Sequence, residues 1–204
     1  MRVKVCGLTR AQDVRLACAL GSWAVGFVFG PGPRHVQLRH ARRLCAGAAP
    51  GVLKVGVFRG CSRRDILLTV RECGLDAVEL RGDETPADCA GYPVPVFKAV
   101  RHSPGMGLGD LKIYDVDLVR VSPAGGEHPT AESLRECWHF SARARGFSVV
   151  LAGGLTPANV AAAAAAARPY AVEVCSGAER EPGIKDARLL KAFFAAARLR
   201  QSGA

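Results

Sequence analysis

No stretch of the 204-residue chain is apolar for long enough to span a bilayer, so no membrane partner is expected. Its first residues, Met1-Arg2-Val3-Lys4-Val5-Cys6-Gly7, run straight into strand-like sequence with no signal peptide, and a cytoplasmic location is the expectation. The eight cysteines, at positions 6, 18, 45, 61, 73, 89, 137 and 175, include no Cys-x-x-Cys pair and no Cys/His cluster at zinc spacing. Neither a metal site nor a disulfide framework is indicated, and most of these thiols are expected to be reduced, small and buried. Aromatic residues do not interleave with the basic ones, and no nucleic-acid motif accompanies the net charge of +10. Arg39, Arg42, Arg43, Arg63, Arg64, Arg188, Arg198 and Arg200 are scattered over predicted helices and read as a solvated exterior, so no nucleic-acid partner is expected.

Nearly half of the residues are hydrophobic and the charges are mixed throughout, as in a globular fold. The length suits one domain over 1–204, with brief helices and loops if the chain forms an eight-fold barrel. The strongest local signal is Val149-Val150-Leu151-Ala152-Gly153-Gly154-Leu155-Thr156-Pro157. A short apolar run fit for a buried strand ends in two glycines, and Thr156 and Pro157 then signal a helix start. Glycines let the backbone approach a ligand closely, and N–H groups at a helix start attract an anion, so a phosphate is expected at Gly153 and Gly154. Val172-Glu173-Val174-Cys175-Ser176-Gly177 repeats the design, and two such mouths in succession suggest one shared anion site that includes Ser176 and Gly177.

Along the chain, strand-like runs alternate with helical ones. Val3–Cys6, Ala24–Phe29, Leu53–Phe58, Ala77–Leu80, Val94–Ala99, Leu118–Val121, Val149–Leu151 and Ala171–Val174 make eight strand candidates. This order predicts an α/β fold, a (β/α)8 barrel of parallel strands, with helices short or missing around strands five and six. The sixth strand is the least defined, since a run around Ile113 competes with Leu118–Val121, and 124–141 reads as a long link.

Six motifs in order carry a resemblance over almost the whole chain: Lys4-Val5-Cys6-Gly7-Leu8-Thr9, Val25-Gly26-Phe27-Val28-Phe29 with Pro33-Arg34, Val55-Gly56-Val57-Phe58, Leu80-Arg81-Gly82-Asp83-Glu84, Leu151-Ala152-Gly153-Gly154-Leu155, and Ser176-Gly177-Ala178-Glu179 with Pro182-Gly183-Ile184-Lys185-Asp186. Together they resemble the phosphoribosylanthranilate isomerase family of tryptophan biosynthesis. The resemblance implies an Amadori rearrangement of a phosphoribosyl aryl amine to its 1-deoxyribulose isomer, on a small phosphorylated substrate and without cofactor or metal. It implies that Cys6 is the general base, a task for a group whose pKa is tuned near the working pH, and that Arg34 meets the substrate carboxylate. Arg81 and Glu173 stand where the family usually has histidine and aspartate and are expected to contact substrate.

The family's general acid, an aspartate ending strand six, has no evident counterpart. If Leu118–Val121 is the strand, its place falls on or near Ser122; if the strand lies earlier, Asp117 or Asp115 can serve, and Glu127 is a further candidate. Asp117 is the expectation carried forward. The alternatives to the family reaction are a diverged enzyme acting on another sugar-phosphate amine and a non-catalytic binder of a phosphorylated metabolite. A monomer or homodimer is expected.

Overall fold

A computed structural model describes residues 1–126 and 128–198. Eight parallel strands close into a barrel: β1 (Arg2–Val5), β2 (Ala24–Val28), β3 (Leu53–Phe58), β4 (Ala77–Leu80), β5 (Val96–Arg101), β6 (Leu118–Ser122), β7 (Val149–Leu151) and β8 (Ala171–Val174). Each strand pairs with its sequence neighbour, and the ring closes between β1 and β8, where Val5 lies opposite Val174. Helices follow most strands: α1 (Ala11–Ala19), α2 (Leu38–Ala46), α3 (Arg63–Cys73), α4 (Gly109–Lys112), α5 (Ala131–Arg143), α6 (Val160–Ala167) and α7 (Ala187–Arg198). The β4–β5 link holds only a 3-10 turn at 87–89, and α4 has four residues, as the weak periodicity there foretold. A hairpin of β9 (Glu179–Glu181) and β10 (Ile184–Lys185) precedes α7.

Because both faces of a barrel strand are covered, the strands read as apolar runs, and their outward residues pack against the helices. Val25, Phe27, Leu151, Leu190 and Phe193 belong to this outer core. A second, smaller cluster fills the interior at the strand starts: Ala24, Val55, Ala77, Phe97, Leu118, Val150 and Ala171, with Trp23 stacked on Phe97. This plug closes the N-terminal mouth of the barrel. One layer further along the strands the interior turns ionic, which sets the site described next. Among the described residues, no helix is long and apolar enough to cross a membrane.

Three expectations change. The stretch 124–141 contains most of α5, whose start is capped by Thr130 accepting the Ser133 N–H. Helix α6 begins at Val160, a turn later than Thr156 suggested, because Asn159 Oδ1 takes the Thr156 N–H and Pro157–Asn159 form a turn leading into it. The sixth strand is Leu118–Ser122, which puts Asp117 at its N-terminal start.

Candidate active site

Side chains from strands that are not neighbours can meet only across the barrel's interior, and four strands send charges there. Lys4 of β1 bonds Glu79 of β4 at 2.6 Å and also Glu173 of β8. Arg81, just past β4, donates to Glu79 at 2.6 Å and to Glu173 at 3.0 Å, and Arg120 of β6 donates to Glu173 at 2.9 Å. Lys4, Glu79 and Glu173 are all at least 98% buried. In a medium of low polarity such a cluster persists only where charges are matched. Burial works against both carboxylates, yet Arg120, Lys4 and Arg81 hold Glu173 well below the usual carboxylate range, and Lys4 and Arg81 do the same for Glu79.

Three cations against two carboxylates leave one positive charge over, and Cys6 lies beside it. Its sulfur is 3.6 Å from the Arg81 guanidinium. Gly26 faces it, and a Cβ there would come within 2.9 Å of the sulfur. A hydrogen bond from the Cys175 thiol, assisted by Lys4 and Arg81 and opposed by burial and Glu173, brings the Cys6 pKa down to about 6. At neutral pH the cluster is balanced with Cys6 as a thiolate, the nucleophilic and basic form of the group.

Above this layer opens a cavity of about 480 Å³ at the C-terminal rim, walled by Arg34, Arg81, Glu173, Cys175 and the two glycine mouths. Gly153, Gly154, Ser176 and Gly177, taken from the sequence as one cradle, line it together. Gly153 and Gly154 both have positive φ, 81° and 67°, a conformation costly for any other residue. A Cβ on Gly177 would overlap the Leu155 carbonyl oxygen, so the two mouths are packed on each other. Among the described residues, the N–H groups of Gly153, Gly154, Ser176 and Gly177 donate to no acceptor of the chain, which leaves them for an anion. Arg34 is fixed by Glu179 through Nε at 3.0 Å and a terminal nitrogen at 2.7 Å, and Arg59 and Arg101 add further positive charge to the wall.

The sequence residues therefore gather, with one exception. Asp117 is solvent-exposed at the N-terminal end of the barrel, its carboxylate accepting the Val96 N–H at 2.9 Å, and Asp115 is exposed at the same end. Cys6 follows the C-terminal end of β1, so Asp117 cannot protonate a substrate that Cys6 deprotonates, and the expectation for it is corrected. Ser122 ends β6 and lines the cavity where a carboxylate was sought. Glu127 lies outside the described residues. Sequence reasoning passed over Lys4, Glu79, Arg120 and Cys175. Their signal was present: Lys4/Cys6, Glu79/Arg81, Arg120/Ser122 and Glu173/Cys175 are polar pairs at two-residue spacing in apolar strands, hence on one face.

By fold the chain is a (β/α)8 barrel whose open cavity lies at the C-terminal rim of its strands. A family model described as N-(5'phosphoribosyl)anthranilate (PRA) isomerase matches residues 3–196. The N-(5'-phosphoribosyl)anthranilate isomerase of Myxococcus xanthus (strain DK1622) is 40% identical over 97% of this chain and 96% of its own. The crystal structure of phosphoribosyl anthranilate isomerase from Thermus thermophilus superposes with a TM-score of 0.84 at 35% identity, covering 96% of this chain and 98% of that one. A phosphoribosyl anthranilate isomerase in complex with reduced 1-(o-carboxyphenylamino)-1-deoxyribulose 5-phosphate has a TM-score of 0.83 at 32% identity, covering 97% and 98%. The chain belongs to the N-(5'-phosphoribosyl)anthranilate isomerase family.

Proposed function

We infer that the chain isomerises N-(5'-phosphoribosyl)anthranilate to 1-(o-carboxyphenylamino)-1-deoxyribulose 5-phosphate, a cytoplasmic step of tryptophan biosynthesis. The observation that carries this reading is the buried charge cluster that balances only with Cys6 ionised, set directly beneath a cavity with two anion cradles. The substrate carries two anionic groups, a phosphate at one end and an aryl carboxylate at the other. Gly153, Gly154, Ser176 and Gly177 hold the phosphate, and Arg34, pre-oriented by Glu179, meets the carboxylate. Cys6 takes the proton from C2 of the opened sugar, and the ionised Glu173 and Arg81 flank the sugar hydroxyls. Holding both ends of the substrate fixes C2 over the sulfur, which converts an encounter into an oriented proton transfer.

Complementation of a tryptophan auxotroph that lacks this isomerase tests the reading. Rescue by the chain and its loss in Cys6→Ala are expected; rescue that persists in Cys6→Ala contradicts it. One observation favours a second reading, another sugar-phosphate amine as substrate: Ser122 replaces a carboxylate at the end of β6 while Arg81 adds a cation to the wall. Failure of the folded chain to rescue, with Cys6-dependent turnover of a different aminoribulose or ribosylamine phosphate, would select it.

A further inference from the structure

We propose that Cys175 is the general acid of this site, giving its thiol proton to the ring oxygen of the substrate while Cys6 receives the proton from C2. The inference rests on the isomerase reading above and deepens it. Ring opening needs a donor at the ring oxygen, and among the described residues that line the cavity the one carboxyl group is that of the ionised Glu173. Glu79 and Glu173 are locked in the ionised form by Lys4, Arg81 and Arg120, Asp115 and Asp117 lie at the opposite end of the barrel, and Ser122 is an alcohol.

Cys175 has the position that the task requires. The β1–β8 register sets Val5 against Val174, so the residues that follow, Cys6 and Cys175, are neighbours, and the Cys6 N–H donates to the Val174 carbonyl at 2.9 Å. Cys6 is fully buried, whereas Cys175 is on the cavity wall immediately before the phosphate cradle of Ser176 and Gly177. In a ribose 5-phosphate the ring oxygen is separated from the phosphate only by C4, C5 and the ester oxygen. A donor at the ring oxygen must therefore stand next to that cradle. Ring oxygen and C2 are both bonded to C1, so two adjacent sulfurs can serve both.

The charges around the pair keep the roles apart. Lys4, Arg81 and Glu173 face Cys6 from inside the barrel; Arg34 and Lys185, both paired with Glu179, face Cys175, with Lys185 Nζ 3.9 Å from its sulfur. With Cys6 ionised and accepting its hydrogen bond, and with burial acting in the same sense, the Cys175 thiol is held protonated well above the ordinary thiol range. A pair of groups whose environments push their pKa values apart is the usual arrangement for an acid and a base.

The proton balance closes within the pair. The nitrogen lone pair expels the ring oxygen from C1 as the Cys175 proton moves onto that oxygen, leaving an iminium and a Cys175 thiolate. Cys6 then removes the C2 proton, and the electron pair neutralises the iminium to give the enolamine. Transfer of the new Cys6 proton across the hydrogen bond to Cys175 restores both groups. Ketonisation exchanges the hydroxyl proton for one at C1 through solvent.

Steady-state kinetics of wild type, Cys175→Ser and Cys175→Ala on N-(5'-phosphoribosyl)anthranilate, each as a function of pH, test the proposal. Serine keeps a hydrogen bond to the Cys6 sulfur but is a far weaker acid, so a merely supporting role survives the change and an acid role does not. Cys175→Ser is expected to lose about 100-fold or more in kcat with KM within about threefold of wild type. Its profile should keep the rise near pH 6 and lose the alkaline fall expected of wild type above the ordinary thiol range. Turnover in Cys175→Ser within about threefold of wild type overturns this inference alone. No turnover in the wild-type chain overturns the isomerase reading and the inference with it.

Discussion

Gly26 has no side chain because the Cys6 sulfur occupies the space, and Gly26→Ala would put a Cβ 2.9 Å from it. Since the sulfur is enclosed, it must shift from its present position, and Gly26→Ala is expected to lower kcat at least tenfold with KM little changed, as measured by initial rates. Arg81→Gln removes a cation that favours the thiolate, so the Cys6 pKa should move up from about 6. The rate of alkylation by iodoacetamide reads this directly: reactivity rises as the thiol ionises, and the rise should come at higher pH in Arg81→Gln than in wild type. An unchanged midpoint would show that Arg81 does not act on the thiol. At this scale the sequence was informative where backbone conformation dictates the residue, as at Gly153 and Gly154, and where a motif ends a strand, as at Cys6. It was silent about partnership. That Glu79 and Glu173 share Lys4 depends on strands distant in the chain, and Asp117 looked available only because the start of β6 was undefined.

Helix α3 is closed at both ends by local chemistry: Ser62 caps it by accepting the Asp65 N–H, and Gly74 ends it in the left-handed region at φ 57°. Ser62→Ala should destabilise the fold by about 1 kcal/mol in urea titration, and Ser62→Asp by much less. Helix α5 escaped because its buried face, Cys137, Phe140 and Ser141, mixes a thiol and a hydroxyl with a single large apolar residue. Strand β6 was blurred likewise by Arg120, a charge that belongs to the interior and that no apolar pattern predicts. Arg168 ends α6 with φ 46°, a position at which a Cβ is strained. Arg168→Gly should relieve that strain and, after the glycine's larger entropy loss on folding, stabilise by about 0.5 to 1 kcal/mol in the same titration. A loss of stability would mean that the Arg168 side chain contributes more than its backbone costs.

Over the whole molecule, the barrel divides its interior between an apolar plug at the strand starts and a balanced ionic layer beneath the open rim. The carboxylates of that layer have depressed folded-state pKa values, so their stabilisation is present above the unfolded carboxylate value of about 4.3 and is lost as pH falls below it. Thermal unfolding should accordingly show Tm dropping steeply below about pH 4, and the drop should shrink in a variant without Glu173. Glu173→Ala leaves Lys4, Arg81 and Arg120 sharing one carboxylate and is expected to destabilise by about 3 to 5 kcal/mol, whereas the isosteric Glu173→Gln should lose less because it opens no cavity and its one amide oxygen still accepts from Arg81 and Arg120. Barrel closure, the pairing of the glycine mouths and the placement of Cys6 followed from strand order, which is why the fold was legible from alternating patterns alone. The ionic layer was not, because neutrality is a property of the assembled ring and of no single strand.

An ionised Cys6 beneath the open rim is probed by turnover of N-(5'-phosphoribosyl)anthranilate by purified wild type and Cys6→Ala, followed across the range around pH 6. Wild-type kcat/KM should rise with pH through about 6 and level off, and Cys6→Ala, with an unchanged circular dichroism spectrum, should show no measurable turnover. A wild-type rate flat across that range, or a Cys6→Ala rate equal to it, would contradict the account.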